Sequence, residues 1–110
     1  GVQPNTISYT AIINAAKLEG SAKAVEDAYE VFKGIELSMR NRRTYTAMIG
    51  AFARVRRTED AWTVFEEARQ HVSPDRIMYS AIMGAMAHDT NKVKRLHKEM
   101  IAQGLGDDDV

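Results

Sequence analysis

Six arginines, Arg40, Arg42, Arg43, Arg54, Arg56 and Arg57, fall within 18 residues of one another. No acidic residue interrupts them, so residues 39–57 carry a charge of +6. Guanidinium groups present planar forks of donors that match phosphate oxygens, and such a cluster is the electrostatic footprint of a phosphate backbone. It also suits a solvated or partner-facing surface, with Glu59, Asp60, Glu66 and Glu67 nearby as local balance. Nothing else in the chain points to chemistry. His71, His88 and His97 have no paired ligand spacing, and there is no cysteine to accompany them, so neither a zinc site nor a disulfide is expected. A Gly-rich phosphate loop, a nucleophile motif and a carboxylate pair are all missing. No enzyme activity, cofactor, metal or small-molecule substrate is expected.

The elements that must position the arginines are helices, and they repeat. Within residues 42–75, Tyr45, Met48, Ile49 and Phe52 recur at i, i+3, i+4, i+7, which is one apolar stripe on a helix. A break at Arg54–Arg57 is followed by a second stripe, Ala61, Val64, Phe65 and Ala68. Thr58 is expected to cap the second helix, with Glu59 and Asp60 near the positive end of its dipole. Pro74 ends the unit, and Asp75 can cap the next.

Ser8–Ala15, Thr44–Ala51 and Met78–Ala85 align without a gap, placing Tyr9, Tyr45 and Tyr79 in register, 36 and 34 residues apart. Ala28-Tyr-Glu-Val-Phe32 likewise matches Ala61-Trp-Thr-Val-Phe65. The third copy is weaker: Val93, Leu96, His97 and Met100 fill its stripe, and His97 stands where a core Phe belongs, as a partly buried packing residue. Two amphipathic helices per unit and no period-2 alternation mean an all-α solenoid of about three helix-turn-helix repeats, at residues 6–41, 42–75 and 76–108. Most of the six methionines fall on helix stripes as core filler, and Trp62 packs between repeats. About three repeats are the minimum for such an array. The opening residues read like the tail of an earlier repeat, so the chain is expected to be a fragment of a longer array, or a short array capped by a partner.

No run of 18 apolar residues is present, so no membrane span is expected. Formal net charge is zero: −2 over residues 1–38, +6 over 39–57, −4 over 58–75 and zero over 76–110. An RNA-dedicated chain usually has a net basic surface, and this one does not.

Pro4-Asn5 and Pro74-Asp75 before a first helix, then Tyr-[Ser/Thr]-Ala within it, and the later Ala-x-x-x-Phe, resemble the pentatricopeptide repeat family. The resemblance covers nearly the whole chain. Tetratricopeptide repeats share the last element, but they want a Trp and a Leu-Gly pair in the first helix, and here Trp62 is in the second. The resemblance implies single-stranded RNA binding, one base per repeat, on the face lined by first helices, in an organelle.

The family's reading positions, carried over residue by residue, pair Thr10 with Asn41, Thr46 with Asp75, and Ser80 with Asp108. By the family's rule the first pair selects adenine and the second guanine, and the third leans to guanine. A short hydroxyl with an amide or carboxylate can read a base edge by hydrogen bonding. Small polar residues at an exposed helix start, and N-caps at Asn41 and Asp75, are the plainer reading of the same residues. The base-sandwiching positions are Ile7, Arg43 and Ile77. Arg43 departs from the apolar pattern, although a guanidinium can stack on a base.

Two functions follow. One is an RNA-binding adaptor that reads through these pairs while Arg40, Arg42, Arg54, Arg56 and Arg57 hold phosphates. The other is a structural helical-repeat subunit docked onto protein in a large organellar complex, such as a ribosome or a photosynthetic assembly. Zero net charge and few, irregular repeats favour the second; the intact reading positions favour the first.

Overall fold

The computed structural model describes residues 6–105, with side chains from residue 9 onward. It holds six α-helices: α1 (Thr6–Glu19), α2 (Ala22–Gly34), α3 (Arg42–Arg54), α4 (Thr58–His71), α5 (Arg76–Ala85) and α6 (Thr90–Ala102), with a short 3-10 turn at Leu37–Met39. Among the described residues there is no strand, and no helix is long and apolar enough to cross a membrane. Consecutive helices pair as α1/α2, α3/α4 and α5/α6, while α1, α3 and α5 pack side by side as an inner row. The molecule measures 50 × 26 × 23 Å, elongated along the stacking axis as a solenoid must be.

Helix starts follow local chemistry. Ser21, Asn41, Asp75 and Asp89 each accept the backbone N–H three residues on, satisfying one of the orphan donors of a first turn. Thr58 does not cap α4, contrary to expectation. It is already the first helical residue, and Arg57 occupies the cap position without a side-chain bond. Arg56 precedes it at φ +62, where Gly20 of the first turn sits at φ +73. A Cβ on Gly20 would also come within 2.8 Å of the Arg54 guanidinium, which lies across that turn.

The core is one continuous stripe, because each pair buries its neighbour's face. Tyr45, Met48, Ile49, Phe52, Phe65, Tyr79 and Ile82 are fully buried. At each junction an aromatic of a second helix meets the tyrosine of the next first helix edge-on. Phe32–Tyr45 and Phe65–Tyr79 both lie at 5.8 Å between centroids, with planes crossing at 68° and 67°. A cation covers each outer ring, Arg40 over Phe32 and Arg69 over Phe65. Such aromatic pairs contribute about 0.5–1.5 kcal/mol each beyond their burial.

The repetition breaks at both ends. Ile12, equivalent to buried Met48 and Ile82, is 47% exposed, because no described helix lies outside α1. His97, equivalent to Phe32 and Phe65, is exposed rather than partly buried, since among the described residues no first helix packs against α6 on that side. Four of the methionines are buried, but Met39 on the 3-10 turn is not.

Candidate nucleic-acid interface

The N-terminal ends of α3 and α5 and the C-terminal half of α1 line a cleft of about 510 Å³. It is lined by Asn14, Lys17, Asn41, Arg42, Arg43, Thr46, Ala47, Asp75 and Ile77. Three of these are basic and one is acidic, so an array of zero net charge presents a locally positive cleft. The middle reading pair, Thr46 and Asp75, lies here together with Arg43 and Ile77.

The geometry of that pair follows from the helix ends. Asp75 Oδ1 accepts the Met78 N–H at 2.8 Å as the cap of α5, and Oδ2 faces Arg42 Nε at 3.4 Å. Arg42 also donates from Nη1 to the Ser73 carbonyl at 3.2 Å. The Thr46 hydroxyl donates back along α3 to the Arg42 carbonyl at 2.9 Å, which leaves its lone pairs for the cleft. Arg43 and Ile77 are exposed, as walls that a base could enter between must be.

The first pair is arranged differently. Asn41 Oδ1 accepts both the N–H and the hydroxyl of Thr44, at 2.9 and 3.0 Å. Thr44 in turn lies 3.0 Å from the Thr10 hydroxyl. Thr10 and Asn41 are thus brought together through Thr44, but Thr10 is only 5% exposed, far less open than Thr46. Of the third pair, Ser80 is exposed on α5, and Asp108 lies outside the described residues, as does the side chain of Ile7.

Apart from Arg42, the arginines divide into two groups. Arg40 is largely buried and donates to Glu67 Oε2 at 2.6 Å and to the Ile35 and Lys33 carbonyls. Arg57 joins α2 to α4 through Glu26 and Asp60 and stacks on the Phe52 ring; these carboxylates push its already high pKa further up. Both hold repeats together. Arg43, Arg54 and Arg56 are exposed, and among the described residues they form no ion pair. The sequence could not separate these groups, because the carboxylates that tie Arg40 and Arg57 to other helices, Glu67 and Glu26, lie 27 and 31 residues away.

Asn14 and Lys17 were not singled out in the sequence, yet both line the cleft. They stand at i+4 and i+7 from Thr10, the spacing of one helix face, and that was the available signal. Gly50 admits Lys17 over α3: a Cβ there would meet the lysine stem at 3.3 Å.

Among the described residues, no three His, Cys, Asp or Glu side chains come together as a metal site. No curated protein matches this sequence. The family model of the pentatricopeptide repeat domain matches residues 31–89, which takes in the last turn of α2, the whole middle pair and the first helix of the third. That match covers more than half of the chain and includes the cleft residues Asn41, Thr46 and Asp75. The chain therefore belongs to the pentatricopeptide repeat family, helical-repeat proteins that bind RNA.

Proposed function

We propose that the array binds single-stranded RNA within an organelle and reads a base at the cleft between α3 and α5. The observation that carries this is the convergence of Thr46, Asp75, Arg43 and Ile77 on one positive cleft open to solvent. A base enters between Arg43 and Ile77, stacking on the guanidinium plane and on the isoleucine. Thr46 and Asp75 meet its Watson–Crick edge with acceptors, which suits guanine. Lys17 and Arg43 line the cleft and supply the charge that holds the backbone there, whereas Arg54 and Arg56, at the opposite end of α3, lie apart from it. Thr10 and Asn41 act at a neighbouring, more closed position, selecting adenine once Thr10 is uncovered. The role served is RNA processing, stability or translation.

A protein-docked scaffold is the second reading, and one observation favours it. Ile12 and Leu18 on α1 are 47% and 80% exposed, beside a groove lined by Ala15, Ala24 and Val31.

The test is binding of short single-stranded RNA pools at two salt concentrations, with Thr46→Ala alongside. Salt-sensitive binding with guanine favoured at one position, and that preference lost in Thr46→Ala, supports base reading. Absence of RNA binding at low salt overturns it in favour of the scaffold.

A further inference from the structure

The polar atoms around the middle reading pair are not symmetric in what they can offer. Thr46 has committed its proton to the Arg42 carbonyl, and Asp75 is a carboxylate, so both present acceptors only. Among the four RNA bases, guanine alone has two adjacent donors on its Watson–Crick edge, the ring N1–H and the N2 amino group. The next atom along that edge, O6, is an acceptor and needs a donor from the protein. Neither Thr46 nor Asp75 can provide it.

Arg42 can. It is the first residue of α3, one turn before Thr46, and its side chain lines the same cleft while remaining 52% exposed. Its Nε faces Asp75 Oδ2 and one Nη1 proton goes to the Ser73 carbonyl, which leaves three of its five N–H donors. Being held at two points, it has less side-chain freedom to lose when a ligand arrives. We infer that Arg42 is a third base-reading residue, donating from its remaining Nη protons to O6 of the guanine held by Thr46 and Asp75. The inference rests on the base-reading function proposed above. Adenine would place its N6 amino donor against the guanidinium, so Arg42 also disfavours the wrong purine.

This role differs from holding a phosphate in what it makes sensitive to mutation. A phosphate contact weakens all sequences alike and lowers the salt dependence, whereas an O6 contact is felt at one atom of one base. The experiment is fluorescence anisotropy of the full chain with short single-stranded RNAs carrying guanosine, adenosine or 6-thioguanosine at the selected position. 6-Thioguanosine keeps both N–H donors and replaces O6 with sulfur, a weak acceptor. The wild-type chain should bind guanosine about fivefold more tightly than 6-thioguanosine, the size of one hydrogen bond partly open to water. Arg42→Ala should bind the two equally, and Arg42→Gln, which keeps a neutral donor, should fall between them. Thermal melting of both variants shows whether they remain folded. An unchanged guanosine to 6-thioguanosine ratio in Arg42→Ala overturns the inference while leaving base reading by Thr46 and Asp75 intact. A wild-type chain with no base preference at any position overturns both.

Discussion

Tyr45 donates its hydroxyl proton to Glu67 Oε2 across 2.8 Å, tying the first helix of the middle pair to the second. The same oxygen accepts from Arg40, which arrives from the preceding pair. Tyr79 and Glu99 repeat the arrangement one pair on, at 2.7 Å, with Arg69 supplying the cation and Gln103 a further donor. One carboxylate therefore closes a helix hairpin and a junction between hairpins together.

Removing that carboxylate leaves two buried or half-buried donors without their partner. Glu67→Ala is expected to lower stability by about 1–3 kcal/mol, because the pair is shielded but not dry. Tyr45→Phe removes one hydroxyl only and should cost about 1 kcal/mol. Denaturant unfolding measures both, and an unaltered midpoint for Glu67→Ala would show the network to be ornamental.

The two tyrosines set an alkaline limit. Burial, reinforced by the bond to Glu67, pushes the Tyr45 hydroxyl up to about 12, and burial with Glu99 raises Tyr79 as well. A tyrosine in the unfolded chain titrates near about 10. Their stabilising contribution is thus complete below about pH 10 and is lost as pH rises toward the folded value. Melting temperature should hold level below about pH 10 and drop between about pH 10 and about pH 12. The Tyr45→Phe/Tyr79→Phe double variant should melt lower at neutral pH and decline less over that alkaline range.

Asp75 caps a helix and lines the cleft, and one substitution separates the two roles. Asn caps as well as Asp, so Asp75→Asn should keep α5 intact and change stability by less than about 0.5 kcal/mol. It replaces a carboxylate acceptor with an amide that can donate, and the preference for guanine over adenine should weaken. Asp75→Ala loses the cap too and should cost about 1 kcal/mol. RNA selection from a randomised pool, read beside thermal melts, checks the pair; an Asn variant that prefers guanine as strongly as the wild-type chain contradicts the assignment.

Arginines of the same segment should answer differently to deletion. Arg57→Ala breaks a junction between α2 and α4 and uncovers Phe52, for an expected loss of about 1 kcal/mol. Arg43→Ala touches no internal partner and should leave the melting temperature in place while weakening RNA binding about five- to thirtyfold, the equivalent of about 1–2 kcal/mol of lost stacking. Equal stability losses in the two would mean that Arg43 is as structural as Arg57.

What was legible in the sequence was local and periodic. The three tyrosines in register, the apolar stripes at i, i+3, i+4, i+7, and the caps at Asn41 and Asp75 depend on neighbours within one turn, and the structure places them as the spacing requires. Thr58 was the local misreading. A hydroxyl before an acidic first turn looks like a cap, but the left-handed Arg56 starts α4 one residue early.

Tertiary structure decided everything that depends on which repeat lies alongside. Ile12, Met48 and Ile82 hold one position in three copies, and only the two covered by a preceding pair are buried. Thr10 and Thr46 are equally matched to the reading position, yet packing closes the first and leaves the second lining a cleft. Arg40 and Arg43 are three residues apart; one is bonded to a carboxylate 27 residues on, and the other faces solvent. A helix repeat writes its own period into the sequence because the backbone geometry is the same in every copy. It does not write the destinations of long side chains, because those are set by the surface of the next copy.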